Sequence, residues 1–339
     1  MLTSEGIKKY GKSLGADLVG IASMDRFEGA PKEQDPRYIF PDAKSCIVLA
    51  FRVPRGYYRG IEEGTFFSSY TSMGYAGINE VYGPIVLREL CCYIEDNEYE
   101  AVPIPNIQLK SAIQWHKYVK DKENYVWPSI PVAEGMPHPD VMIDMRVAAF
   151  AAGLGEYGYS KVFLTPEFGP MQRFVALLTD FEFEPDPIFE GKICDRCKLC
   201  ARECSGKAIS FTEMDSITIA GHKCEYAKLD LSKCAKAYVG GNSKYNPFLI
   251  EGHQDEEKEM MTYKNPIDLY MRHGVALEGA RGCIRECYIH LEKTGRLTRK
   301  FAEPFRKRKP WVIDRDAARS EVEKVTQTPD NGNEDKVLY

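Results

Sequence analysis

Hydrophobic and polar positions along the 339 residues switch between helical and strand periods, and the switches mark out elements. Residues 4–14 repeat apolar positions three and four apart behind Ser4, which predicts a helix opened by that residue. GADLVGIA, residues 15–22, reads as a turn followed by a buried strand. SCIVLAFRV, residues 45–53, is a second strand whose unbroken apolar run implies burial on both faces. Between the two lies a charged, proline-containing surface loop, EGAPKEQDPRYIFPDAK. VLRELCCYIED, from Val86 to Asp96, returns to helical spacing, and EYEAVPIP predicts a strand leaving that helix. DMRVAAFAAGLG predicts a helix of small residues packed by its alanines against a sheet. It ends at Gly153 and Gly155, as a left-handed terminus favours. KVFLTPEFGP and QRFVALLTD predict two strands joined by a Pro-Glu-Phe-Gly-Pro turn.

Other stretches are less periodic. Residues 56–82 crowd aromatic and small residues together, among them Tyr57, Tyr58, Phe66, Phe67, Tyr70, Tyr75 and Tyr82. They either line a wide ligand pocket or cover the core with amphipathic side chains. SFTEMDSITIAGHKCEYAKLDLSKCAKAY predicts short strands and turns around Cys224 and Cys234. Gly240 to Met261 predicts a surface excursion of a length often found in lids or partner surfaces. RLTRKFAEPFRKRKP is basic, through Arg296, Arg299, Lys300, Arg306, Lys307, Arg308 and Lys309. It is either a solvated tail or a docking surface for an acidic electron donor or RNA. TQTPDNGNEDKVLY has the composition of a disordered end.

The length predicts two packed units. A formal net charge of -5 gives no overall attraction to nucleic acid or anionic lipid. The first residues hold no apolar signal core or twin-arginine pair, and no segment reaches the ~18 apolar residues of a membrane span. A reducing cytoplasm is therefore the expected setting, where clustered cysteines bind metal more often than each other. Of the 11 cysteines, Cys46, Cys91 and Cys92 sit in apolar or helical patterns and read as buried structural thiols.

The strongest signal is CDRCKLCAREC, residues 194–204, with four cysteines spaced C-x2-C-x2-C-x3-C. A tight loop of that spacing turns successive sulfurs inward around an iron–sulfur cubane, and in two-cluster ferredoxins the fourth cysteine serves the other cluster. Cys194, Cys197 and Cys200 then form one [4Fe-4S] site, which Cys287 completes in the ferredoxin arrangement. Cys204, Cys224, Cys234 and Cys283 form the second. Tetrahedral zinc or disulfides are the competing readings; zinc sites usually pair two short C-x2-C knuckles, whereas this run of four has Ala201, Gly206 and Ala208 around it.

GADLVGIA, PDAKSCIVLAF, AAGLGEYG, LTPEFGPMQRFVALLTD and CDRCKLCARECSGKAI, in this order ahead of the remaining cysteines, resemble the cobalamin-dependent iron–sulfur reductases. That group contains reductive dehalogenases and epoxyqueuosine reductase, and the phrasing GADLVGIA, GLGEYG and TPEFGPMQRF is nearer the dehalogenase branch. The resemblance implies an α+β fold. Residues 1–183 would form a nitroreductase-like α/β cobalamin-binding domain, 184–295 a ferredoxin-like domain with two [4Fe-4S] clusters and a long insertion, and 296–339 a basic, then disordered, tail. It implies electron passage through two clusters to a base-off corrinoid that reduces a small-molecule substrate, with a ferredoxin- or flavodoxin-type donor. The absence of a D-x-H-x-x-G motif agrees with base-off binding. An epoxyqueuosine reductase acting on tRNA and an electron-transfer protein without corrinoid are the alternatives; the short stretch after Cys287 lacks room for the helical-repeat module of the former.

The resemblance also points to individual residues. Gly153, Gly155, Pro166 and Phe168, from the matching segments, are candidates for contact with the cofactor. Epoxyqueuosine reductases use an aspartate before GLG as proton donor, and Asp140 and Asp144 are nearest to that position. Dehalogenases use a tyrosine beside a basic residue, for which Tyr75 and Tyr82 are candidates. His138 stands before Pro139 and Asp140 in a prospective pocket loop, whereas His116, after Trp115, reads as packing. The chain departs from the family pattern at Ser205 and Tyr288, where prolines follow the last cysteine of each motif, and at Ala280, where a further cysteine is usual. Cys224 is the proposed replacement for that last ligand. Tyr157, Tyr159 and Ser160 stand near where the dehalogenase arginine-asparagine pair is missing.

Overall fold

A computed structural model describes residues 2–66, 69–106, 130–139, 141–239, 282–305, 314, 316, 317 and 320. The central layer is a four-stranded antiparallel sheet in the order β1-β2-β6-β3, formed by β1 (Leu18–Ser23), β2 (Ser45–Arg52), β3 (Ala101–Ile104) and β6 (Gln172–Thr179). Pro103, which has no N–H to donate, lies on the edge strand β3.

The apolar run of β2 is buried from Ser45 to Phe51, and the strand's period of two divides it between two cores. Ile47, Leu49 and Phe51 join Val175 and Leu177 of β6 on one face, covered by α1 (Ser4–Ser13) and α3 (Gly83–Glu95). Cys46, Val48 and Ala50 join Phe174, Ala176 and Leu178 on the other, covered by α4 (Met145–Ala151). The alanines of α4 are buried against the sheet, as their pattern predicts.

Several expectations are corrected. Helix α1 is capped by Thr3 and not Ser4, since the Thr3 side chain accepts from the Gly6 N–H at 3.0 Å. KVFLTPEFGP and QRFVALLTD do not pair as a hairpin. β5 (Phe163–Leu164) pairs instead with β4 (Glu156–Tyr157) in a separate two-stranded sheet, and past the Thr165–Gly169 bridge β6 enters the centre of the main sheet. The physical reason is that β6 is buried over nearly its whole length, which two flanking strands and a helical layer on each face satisfy and a hairpin partner alone does not. Within residues 56–82, α2 spans Arg59–Glu63, and a wider π-helical stretch covers Tyr70–Tyr82.

The cysteine-rich half packs onto this body. Its elements are α5 (Leu199–Arg202), the hairpin β7 (Ile209–Ile219) and β8 (His222–Leu229), α6 (Leu231–Val239) and α7 (Cys283–Lys293). Ala220 and Gly221, at φ 49° and 79°, make the tight two-residue turn of the hairpin. Cys234 therefore stands on a helix, where short strands and turns were expected. Tyr288, Leu291, Leu297 and Phe305 join the α1/α3 core, while Ile219, Cys224 and Tyr226 join the α4 core. The two halves thus share both cores. Phe67, His116, the 240–261 excursion, Arg306 to Lys309 and TQTPDNGNEDKVLY lie outside the described residues.

Gly153 ends α4 at φ 70°, and a Cβ there would stand 2.1 Å from the Pro187 carbonyl oxygen. Gly153→Ala adds a left-handed penalty of about 1–2 kcal/mol to a clash with backbone. We expect its urea-unfolding midpoint to fall by the equivalent of about 2 kcal/mol or more, with an unchanged m-value.

Candidate functional site

The loop that carries the first cysteines is bent by two residues in the left-handed region, Arg196 at φ 58° and Lys198 at φ 60°. Left-handed residues alternating with ordinary ones turn successive N–H groups toward one side, the concave arrangement that holds anions and many iron–sulfur sites. Glu156 fixes the entrance: its Oε1 accepts from the Ile193 N–H at 2.7 Å and the Cys194 N–H at 2.5 Å. The Tyr159 N–H donates to Cys194 Sγ at 3.3 Å. Asp195 accepts from the Cys197 N–H at 3.2 Å and meets His290 Nε2 of α7 at 2.7 Å, which ties the loop to that helix. His290 and its hydrogen bond lower the pKa of Asp195 against the opposing effect of burial.

Cys194, Cys197, Cys200 and Cys287 converge. The Cys287 thiol is pushed well above its ordinary pKa by burial and then by the charges of Cys200, Cys194 and Cys197. Cys200 is pushed up to about 12 by burial and then by Cys194. Such thiols stay protonated unless a metal centre displaces their protons. A single zinc with Zn–S bonds of about 2.3 Å would draw its sulfurs within about 4 Å of one another. Among the described residues, the set of ligand atoms that lies within 4.8 Å is Asp195, Cys197 and His290, and no set of cysteine sulfurs does. The three-atom set near enough for a single ion is thus Asp195, Cys197 and His290. No disulfide joins any of the cysteines.

A second group lies beside the first. Cys200 and Cys204 are buried among Ala201, Ala208, Ile209 and Ala227, with Cys234 and Cys283 packed against them. Cys224, expected with Cys204, Cys234 and Cys283, is placed elsewhere. Along β8, Cys224 and Tyr226 face the α4 core, whereas Ala227 faces the thiols. Burial and the nearby Glu156 carboxylate push the Cys224 thiol up to about 11.

Helix α7 is held to the N-terminal half by a pair that sequence reasoning missed. Arg285, between the two cysteines of α7, is 0% exposed and contacts Glu62 of α2, also 0% exposed, through Nε and through Nη2 at 2.7 Å to Oε2. Its Nη1 contacts Glu286. Arg55 Nη1 adds a 2.7 Å contact to Glu292 on the same helix.

Three cavities adjoin this frame. One of about 300 Å³ is lined by Tyr70, Asp144, Arg146, Arg173 and Ile284, the neighbour of Cys283. A second of about 350 Å³ shares its Val53 wall and is lined by Arg52, Arg55, Arg59, Arg299, Glu167 and Phe168. A third of about 510 Å³ shares Met142, Ile143 and Met145 with the first and includes His138.

The expected proton donors and cofactor contacts fare unevenly. Asp140 lies outside the described residues. Asp144 caps α4 by accepting from the Arg146 N–H and receives the Arg146 guanidinium at 2.9 and 2.8 Å. Burial works against the Arg146 charge, but Asp144 outweighs it and raises the guanidinium pKa. Tyr82 is 44% exposed and donates to the Gly15 carbonyl at 3.3 Å, away from the three cavities. Tyr75 stacks its ring under Arg173 at 4.3 Å. Arg173 Nη2 also donates to the Tyr70 hydroxyl at 2.7 Å, on the cavity wall. Gly153 and Gly155 line none of these cavities; a Cβ on Gly155 would meet the Leu164 carbonyl oxygen at 1.9 Å, so packing accounts for both. Phe168 lines the arginine-rich cavity, and the Pro166 carbonyl accepts from the Thr298 N–H at 2.9 Å.

The mixed α/β body thus carries two groups of cysteines. No protein-family model matches the chain. It is similar to the tetrachloroethene reductive dehalogenase of Dehalobacter restrictus, 26% identical over 262 residues that cover 70% of this chain and 45% of that protein. It is also similar to the epoxyqueuosine reductase of Bacillus cereus, 23% identical over 235 residues that cover 61% and 52%. Among solved structures, the catabolic reductive dehalogenase NpRdhA shares the fold at a TM-score of 0.50 and 21% identity, covering 91% of this chain and 39% of that one. The chain spans about half the length of the curated relatives it matches. Its homologues are thus reductive dehalogenases and epoxyqueuosine reductases, with the stronger resemblance to the dehalogenases. No helix among the described residues is long and apolar enough to cross a membrane.

Removing Arg285 while Glu62 stays buried leaves a carboxylate without its cation. Arg285→Met is expected to cost about 3–5 kcal/mol in denaturant unfolding. The triple variant Arg285→Met, Glu62→Leu, Glu286→Leu should recover much of that loss, since apolar side chains of similar volume then replace the whole buried ionic group at little cost.

Proposed function

We propose that the protein is a reductive-dehalogenase-like iron–sulfur oxidoreductase that passes electrons through two clusters to a bound corrinoid and so reduces a small organic substrate. The observation that carries this reading is the grouping of Cys194, Cys197, Cys200 and Cys287 beside a second thiol group, with Cys287 on the helix whose Ile284 lines a cavity. The donor set is soft, as iron–sulfur clusters require, and runs from buried Cys200 and Cys204 to exposed Cys197. A ferredoxin- or flavodoxin-type donor would supply the electrons.

Each of these three cavities suits a small organic molecule, and none of the three alone has the volume of a corrinoid. The corrinoid enters this reading through the family resemblance alone. The chain's own contribution at the cavity is a proton. Tyr70 offers a hydroxyl on the wall, and Arg173, always charged, would stabilise the phenolate left after donation. Tyr70 takes the place that sequence reasoning gave to Tyr75 and Tyr82.

Anaerobic reconstitution of the chain with iron and sulfide should give a broad visible absorbance and reducible EPR signals, and added cobalamin should bind and adopt its base-off spectrum. Clusters without cobalamin binding would favour an electron carrier, and retention of tRNA would favour the epoxyqueuosine reductase reading. Once a substrate is found, Tyr70→Phe should lower turnover about 10²-fold or more while leaving the cluster EPR spectra unchanged.

A further inference from the structure

The eleven cysteines do not divide into two sets of four ligands. Cys194, Cys197, Cys200 and Cys287 account for one centre. Around the other stand Cys204, Cys234 and Cys283. This second group is fixed by packing from two directions. Gly206, two residues past Cys204, lies so close under α6 that a Cβ on it would stand 2.8 Å from both the Lys233 carbonyl oxygen and Ala237 Cβ. That closeness brings the turn carrying Cys204 against the helix carrying Cys234. Helix α7 packs on α5, which brings Cys283 to the same apolar shell.

The remaining cysteines are committed to other places. Cys224 and Cys46 are buried in the core under α4, with Phe150, Tyr157 and Tyr226. Cys91 is buried in the core on the opposite face of the sheet, and Cys92 follows it on α3. Moving Cys224 to the thiol group would require β8 to rotate its alternation by one residue, which would carry Tyr226 out of its core and Ala227 away from Cys204.

We propose that the second centre is a three-cysteine site: Cys204, Cys234 and Cys283 hold three irons of a [4Fe-4S] cluster, and the fourth iron has no cysteine ligand. This rests on the two-cluster reading above. An iron without a thiolate is the one that leaves on oxidation. The step balances as [4Fe-4S]²⁺ going to [3Fe-4S]⁺ plus Fe²⁺ and one electron, with a one-electron oxidant such as ferricyanide accepting the electron. Ferrous iron and a reductant reverse it. The four-cysteine centre keeps all its irons under the same treatment.

The test uses the full chain, reconstituted anaerobically and treated with stoichiometric ferricyanide. The expected result is the near-isotropic EPR signal of one [3Fe-4S]⁺ cluster per chain, release of one iron, and loss of the signal when Fe²⁺ and dithionite are restored. Cys224→Ala should give the same signal, iron content and reduced-state spectrum as the parent chain, whereas Cys204→Ala should lose the signal and keep the other cluster. Wild-type protein that holds two clusters but releases no iron and gives no such signal would overturn the proposal, and it needs no variant. So would a folded Cys224→Ala chain with altered cluster spectra or less iron. A wild-type chain that takes up no iron–sulfur cluster at all would overturn the two-cluster reading together with this one, so the two failures are told apart.

Discussion

The Arg285 guanidinium is wholly out of water, and a buried cation is tolerated only where carboxylates surround it. Glu62 meets that need from α2, and Glu286 meets it from the same turn of α7. The consequence is positional. Because Arg285 lies between Cys283 and Cys287, the ion pair sets how far α7 stands from the N-terminal layers, and with it where two of the thiols are presented. An apolar contact would allow the helix to slide; a forked guanidinium on a carboxylate fixes distance and angle together.

The opposite side of the thiol group is held by acceptors of another kind. Glu156 takes two consecutive N–H groups where the cysteine loop begins, and Asp195 takes the Cys197 N–H while meeting His290. Each carboxylate satisfies backbone donors that a tight loop otherwise leaves without partners. The loop thus owes part of its shape to Glu156 and His290 outside the cysteine motif, and the thiols are brought near one another although burial, and then their mutual charge, raises the pKa of Cys200 and Cys287.

Much of this was legible in the sequence where one period dominated. The unbroken run SCIVLAF could be satisfied only by burial on two faces, and the alanines of α4 only by close approach to a sheet. The C-x2-C-x2-C run was read with Cys287 as one set by analogy with the ferredoxin arrangement, and the charges of these thiols do act on Cys287 in the structure. Partner choice was not legible. β5 and β6 have strand character, yet which neighbour each takes depends on how deeply β6 is buried, a long-range property. Cys224 illustrates the same limit: a count of cysteines carries no information on which face of β8 each one occupies, and two-residue alternation from Ala227 answers it only once the hairpin register is known. Arg285 and Glu62, 223 residues apart, carry no local signature of pairing. Tyr70 was passed over among many aromatics, since its distinguishing feature is Arg173, which arrives from β6.

Cys283 and Cys287 are four residues apart on one helix, a rise of about 6 Å. Helix α7 is therefore a short rigid ruler with one sulfur from each group at its two marks. The groups cannot be repositioned independently, and any tilt of the helix alters both surroundings at once. A charge arriving at one mark would also be felt at the other across low-dielectric packing, so the second addition would be opposed by the first.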